Sequence, residues 1–316
     1  MKKEDQINTY NLFRCGNNVP WPEDNEPGFL SFKRCSNLWN LGARPYMKDK
    51  ESILLIEDII TCANMSASAK FYNDNIYINA YKELAIYLKH LFIYYNNMIK
   101  SEDLTSEKLL DWGWYKFFKK VAEDDHYNKV VIVTYNYDIW LERILNALGV
   151  KFNIGKMQRK NKERKFLIIK PHGSISFTHK DKLDRKSFRI RYDRELSEGN
   201  AKDFRVKYTD LDENYLINAM IPPAGDSKRL KFGWASELRD MANKEAALLG
   251  SDDEMIICGI SYWHVDRIEI DELLTIANPE LNVKLINPYP PRALNAVLSS
   301  LFKKYLCYTS SQAIGV

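Results

Sequence analysis

The sequence predicts an α/β fold, a doubly wound and mostly parallel sheet interrupted by a helical insertion over about 50–125. Three observations carry that expectation. Short apolar runs at Val130 to Val133, Phe166 to Ile169, Met255 to Cys258 and Val283 to Ile286 have the length of buried strands. Each run ends in polar or glycine residues: Thr134-Tyr135-Asn136-Tyr137-Asp138, Pro171-His172-Gly173-Ser174, Gly259-Ile260-Ser261 and Asn287-Pro288. Stretches of helical period separate the runs at βαβ spacing. Ligands of open parallel sheets bind at the carboxyl ends of the strands, so four such ends in order suggest a dinucleotide crevice.

The elements follow in order. Ile7 to Phe13 offers a short first strand, weakened by Asn8 and Asn11. Arg14 to Gly28 is rich in Asn, Pro and Gly and reads as loop. From Ile53 to about Ile99 the apolar period is helical, with Leu84, Leu88, Leu91 and Phe92 on one face. Tyr81, Tyr87 and Tyr95 belong to an aromatic stripe there, which at this spacing is core or helix–helix contact. Asp111 to Ala122 reads as another helix. Ile139 to Leu148 is amphipathic and stops at Gly149. The segment 179–212 is charged and poor in apolar residues, which predicts a mobile loop or lid. Ile221-Pro222-Pro223 breaks any regular element. Phe232 to Leu249 predicts a helix burying Trp234, Leu238, Met241 and Leu248. Helices over 266–277 and near 291–306 complete a chain, 1–316, that reads as one domain without internal repeats.

Bulk properties exclude several classes. The 316 residues are 45% hydrophobic and 28% charged, with a net charge of +4. That charge is too mild to argue for nucleic acid. Basic clusters at Lys156 to Lys165 and Lys180 to Arg194 read most simply as solvated surface. Direct nucleic-acid binding by them would depend steeply on salt. The five cysteines are an odd number, widely spread and without a C-x-x-C pair. They argue against a disulfide framework or a zinc knuckle and suit a reducing cytosol. Met1 to Gln6 is charged and no apolar stretch follows, so a signal peptide is not expected. No run approaches the ~18 continuous apolar residues of a membrane span. A cytoplasmic protein is expected.

The ordered set Thr134–Asp138, His172-Gly173, Gly259-x-Ser261 and Ile286-Asn287 resembles the sirtuin family, specifically its bacterial sirtuin-like NAD-consuming branch. Ile221-Pro222-Pro223 and the following Trp234 helix also look like that branch, and the resemblance covers roughly residues 128–306. It implies a Rossmann-like domain. It also implies that Asn136 contacts the nicotinamide ribose or positions the attacking water. An amide suits that task, because it offers a donor and an acceptor and holds a neutral water without taking its proton. Asp138 would orient Asn136 or its loop. His172 would be the general base, consistent with a side chain that titrates near physiological pH. Thr134 and Gly173 fall in the same motifs and join the NAD-binding set. Gly259 and Ser261 would approach the phosphates or ribose, and Asn287 the adenosine ribose. Simpler readings stand beside these. Asn136 and Asp138 could cap the next helix, His172 could be a turn residue after Pro171, and Gly259-x-Ser261 could be an ordinary strand-to-loop junction. His264 and Asp266 lie just beyond that junction, where Asp266 most simply caps the next helix, and His90, His126 and His179 show no ligand spacing and carry no assigned role.

Two departures matter. The family wraps the NAD pyrophosphate with a Gly-Ala-Gly-x-Ser loop before a helix N-terminus. Here Arg14-Cys15-Gly16-Asn17-Asn18 stands at that place, followed by Pro20 and Pro22. Gly16 and Asn17 would then serve the pyrophosphate, or Arg14 would reach a phosphate. Deacylase sirtuins also carry a four-cysteine zinc module after the His-Gly motif, whereas no cysteine lies between Ser174 and Gly250. No zinc is expected. The resemblance therefore implies an NAD glycohydrolase with NAD as substrate, releasing nicotinamide and ADP-ribose or a cyclic product. Such relatives serve antiphage defence under control. Homo-oligomerisation or a second defence protein is expected, with helices 53–99 either making that contact or simply packing on the sheet, nucleic acid as a candidate indirect trigger, and no membrane. The alternative is a catalytically inactive nucleotide-binding or assembly subunit, which the degenerate loop at 14–18 favours.

Overall fold

The four apolar runs are parallel strands in the computed structural model of the chain, which describes residues 10–67, 75–157, 163–195, 199–223, 232–262 and 267–314. In chain order the α-helices are α1 Ser36–Asn40, α2 Asp49–Ala67, α3 Ile76–Met98, α4 Ser106–Leu109, α5 Gly113–Glu123, α6 Trp140–Ala147, α7 Gly233–Ala247, α8 Arg267–Ile276 and α9 Arg292–Leu301. The strands are β1 Val130–Val133, β2 Phe152–Ile154, β3 Phe166–Ile169, β4 Gly173–His179, β5 Phe204–Val206, β6 Asn218–Met220, β7 Glu254–Cys258, β8 Asn282–Ile286 and β9 Lys304–Tyr308. The protein is thus α/β. It divides into two compact units, one made of 1–99, 135–139 and 170–236, the other of 100–134, 140–169 and 237–316.

The second unit holds both parallel sheets. In the first, β3 lies between β1 and β2, with Val130 opposite Phe166 and Val133 opposite Ile169. All four β3 residues are buried, as the central strand of a covered parallel sheet requires. Helix α5 buries Tyr115, Phe118 and Val121, and the Phe118 ring meets Phe166 at 6.5 Å. Helix α6 ends at Gly149, whose φ of +70° and N–H bond to the Asn146 carbonyl form the expected left-handed stop. In the other sheet β8 lies between β7 and β9 in parallel register.

The first unit pairs helices with an antiparallel sheet of order β5-β4-β6. Helix α3 packs on α1, α2, β4 and β6. It buries Leu84, Leu88 and Leu91 with Tyr81, Tyr87 and Tyr95, so these aromatics are core, while Phe92, expected on the same face, is half-buried. The Tyr87 hydroxyl donates to the Leu12 carbonyl at 2.7 Å, which fixes the 10–18 turns to α3. Trp21, Phe29 and Phe188 cluster around the buried His90 ring, which stacks on Phe29 at 5.3 Å.

Several elements differ from expectation. The described strands form three three-stranded sheets rather than one continuous sheet. The expected first strand falls partly outside the described residues, and Tyr10 to Phe13 is turn and coil. The expected insertion is shared, 50–99 belonging to the first unit and 100–125 to the second. Helix α7 stops at Ala247, which leaves Leu248 75% exposed instead of buried. The last helix ends at Leu301, and β9 takes residues expected to be helical. The segment 179–212 begins on β4 and contains β5, and several of its cations pair with acids within it or just beyond it. Lys180 pairs with Asp203, Lys182 with Glu213, Arg185 with Asp212 and Arg191 with Asp193. Part of the other basic cluster, 158–162, lies outside the described residues. Among the described residues no helix is long and apolar enough to cross a membrane.

Candidate functional site

Strand β1 hands the chain to 135–139, and that short segment packs in the first unit with the turn 170–173. Thr134 still belongs to the sheet ladder, its N–H donating to the Ile169 carbonyl at 2.9 Å. Asn136 is exposed, while its neighbour Tyr137 is buried. Tyr137 anchors the segment. Its carbonyl accepts from the Ile175 N–H at 2.9 Å and from the Ser174 hydroxyl at 3.2 Å. Its own hydroxyl donates to the Ile221 carbonyl at 2.6 Å, and its ring meets Phe92 at 5.1 Å.

His172 sits on the facing turn and is buried at 3% exposure. The Tyr135 ring lies 4.8 Å from the His172 imidazole and covers it. The His172 carbonyl accepts from the Ile221 N–H at 3.0 Å, so Ile221 bridges both motifs. Gly173 closes the turn by donating to the Lys170 carbonyl at 3.0 Å. Its φ is +92°, and an added Cβ would lie 1.9 Å from the Ala219 carbonyl oxygen. Gly173 therefore lets β6 approach β4 closely. Asp138 is half-buried, and its carbonyl accepts from the ammonium of Lys170, which is buried to 1% exposure. Asn136, Asp138, His172 and Gly173 are thus brought together within one unit.

The remaining expected residues divide between two places. Gly259, Ser261 and Asn287 lie at the carboxyl edge of the β7-β8-β9 sheet, in the second unit. Gly259 has φ +65° with nothing within 4 Å of a built Cβ, so its backbone is open to close approach. Asn287 spans that edge. Its N–H donates to the Tyr308 carbonyl at 2.9 Å, its side-chain amide donates to the Ile260 carbonyl at 3.4 Å, and its side-chain oxygen accepts from the Tyr289 N–H at 2.9 Å. Ser261 is exposed. His264 and Asp266 lie outside the described residues.

Gly16 and Asn17 are in the first unit, and the loop is not built like a phosphate cradle. Gly16 is buried against Leu30, whose Cβ would lie 2.6 Å from a Cβ at position 16. Its glycine serves close packing. Asn17 is exposed. Arg14 is tied to Asp49 at 2.5 Å, so it is engaged by a carboxylate rather than held open for a phosphate. The next helix, α1, has five residues and starts at Ser36. The helix N-terminus that would complete a pyrophosphate loop does not follow.

Sequence reasoning missed Lys170, Tyr137 and the Ser174–Ser176 pair, whose hydroxyl oxygens are 3.0 Å apart. The available signal was Lys170 itself, a lysine closing an apolar strand directly before Pro171-His172. Among the described residues no group of three or more His, Cys, Asp or Glu side chains could hold a metal ion. Compared with known proteins, the chain matches no protein-family model and no curated protein.

Proposed function

We propose that the chain is a sirtuin-like NAD glycohydrolase that cleaves the nicotinamide–ribose bond. One observation carries this reading. The segment bearing Asn136 is held to the His172 turn and the start of β4 by three hydrogen bonds, from Lys170, Ser174 and Ile175, and by the Tyr135–His172 ring contact. An exposed amide and a sheltered imidazole are thereby fixed on neighbouring backbone. In the reaction, Asn136 holds one water and His172 takes its proton as the water attacks the ribose carbon. Nicotinamide leaves as a neutral ring, because the pyridinium nitrogen keeps the electrons of the broken bond. The proton held by His172 passes to solvent. Positioning of the water and exclusion of bulk solvent supply the rate. Such an activity, unregulated, would exhaust the host's NAD, so the same reading expects control by self-association or a partner, a cytoplasmic location and a role in defence against phage.

A second reading, a nucleotide-binding or assembly subunit without turnover, is favoured by the 14–18 loop. Gly16 packed on Leu30 and Arg14 paired with Asp49 leave that loop poorly suited to a pyrophosphate.

Nicotinamide release from NAD, read by mass spectrometry for the purified protein and for folded Asn136→Ala and His172→Ala variants, separates the readings. Turnover abolished by both substitutions supports the hydrolase. Turnover that survives both removes the site assignment. No turnover in the wild type, alone or with extract of infected cells, favours the subunit.

A further inference from the structure

A lysine with only 1% of its surface exposed is expensive, because an ammonium loses hydration unless acceptors replace it. Lys170 is such a residue, and it is placed where two motifs meet. Its side chain reaches back 32 positions and donates to the Asp138 carbonyl, two residues beyond Asn136. Its own carbonyl accepts from the Gly173 N–H at 3.0 Å, closing the turn that carries His172. One residue therefore grips the Asn136 segment with its side chain and shapes the His172 turn with its backbone. Further ties of 135–139 run through Tyr137, which is buried, and through the Tyr135 ring against His172. Lys170 holds the far end, where the chain leaves for α6.

We propose that Lys170 is a positioning residue that fixes the Asn136 segment against the His172 turn. Three donors on a flexible stem suit the task, since an ammonium can follow a main-chain carbonyl without the planar geometry that a guanidinium demands. The role deepens the hydrolase reading and rests on it for its effect on turnover. Its effect on the segment itself does not depend on that reading.

The test compares the wild type with Lys170→Met, which keeps the stem and removes the donor, and Lys170→Arg, which keeps a donor. Amide hydrogen exchange over 135–139 and over β4 is followed by mass spectrometry. Thermal unfolding and the kcat and KM for NAD are measured on the same samples. In Lys170→Met, exchange at 135–139 rises about tenfold or more while β4 stays protected, as expected for local opening. The kcat falls about 100-fold with KM changed by less than about threefold, the pattern of lost positioning rather than lost binding. Lys170→Arg recovers protection and at least about a tenth of kcat, because a charged donor is restored. Unchanged exchange at 135–139 in Lys170→Met overturns the proposal, as does an unchanged kcat in an active enzyme. Loss of the whole fold in both variants also overturns it, by making Lys170 a general core residue. A wild type without NAD turnover removes the hydrolase reading, while the exchange comparison still decides the role of Lys170.

Discussion

Gly173 has no room for a methyl group, since the Ala219 carbonyl oxygen occupies its place and the backbone there has φ +92°. Gly173→Ala is expected to destabilise the protein by about 2–4 kcal/mol through strain and forced separation of β4 from β6. Urea unfolding of the variant checks this, and a loss below about 1 kcal/mol would mean that the turn relaxes freely. Tyr137 offers a milder probe. Tyr137→Phe removes the donor to the Ile221 carbonyl and keeps the ring against Phe92. A cost of about 1–3 kcal/mol is expected, because a buried acceptor loses a partner. Both residues stand inside motifs chosen for chemistry, and each also serves packing. A single sequence cannot separate those roles, because a glycine needed for a ligand and one needed for a carbonyl look alike. Lys170 escaped notice for a related reason: in a linear sequence a lysine reads as surface, and only the fold shows where its stem goes.

At the scale of elements, ion pairing across α7 and α8 makes a sharper test. Arg239 meets Glu269 at 2.6 Å, and the Glu269 side chain is only 3% exposed. Arg239→Met is expected to cost about 3 kcal/mol or more, because the carboxylate stays buried without that cation. Replacing Glu269 by Gln in the same background should recover much of the loss, and thermal unfolding of the single and double variants measures the coupling. Among the described strands, β1, β3, β7 and β8 of the parallel sheets were legible in the sequence, while β2 and β9 were not. β1 and β3 fall on the expected residues, and β7 and β8 gain one residue each. Continuous apolar runs of that length have few alternatives. The unexpected strands have mixed patterns. In β4 Ser174, Ser176 and Thr178, which alternate with Ile175 and Phe177, are all buried, so polarity gave no sign of burial. β9 continues an apolar period begun by α9, and the helix end at Leu301 carries no glycine or proline to mark it. β6 ends directly before Ile221-Pro222-Pro223, and the prolines hid it.

For the molecule as a whole, the buried His90 sets a dependence on pH. Burial, with Lys89 and Arg185 nearby, holds its imidazole well below the ordinary 6.5. Unfolding releases a ring that binds a proton at the ordinary value, so the unfolded state takes up protons that the native state refuses. Stability from this group is full above about pH 6.5 and declines as pH falls below it, by at most about 1.4 kcal/mol per pH unit. His90→Phe, which can keep the stack on Phe29, should flatten that part of the profile. Urea midpoints between pH 5 and 7 for both proteins give the comparison. The division of the chain leads to another expectation. The backbone passes between the two units at 99/100, 134/135, 139/140, 169/170 and 236/237. Neither unit is one continuous stretch, so fragments 1–134 and 135–316 should each lack cooperative unfolding by circular dichroism, and a fragment that melts like the whole protein would contradict this.

The Tyr137 hydroxyl bond to Ile221 also bears on when the molecule acquires its working form. The two residues are 84 positions apart, and the Ile221 N–H also bonds the His172 carbonyl. On the ribosome the Asn136 and His172 motifs both emerge before the clasp that joins them. A stalled or truncated nascent chain carries both motifs without that clasp, so the Tyr137 hydroxyl and the His172 carbonyl gain these partners only after synthesis passes Ile221.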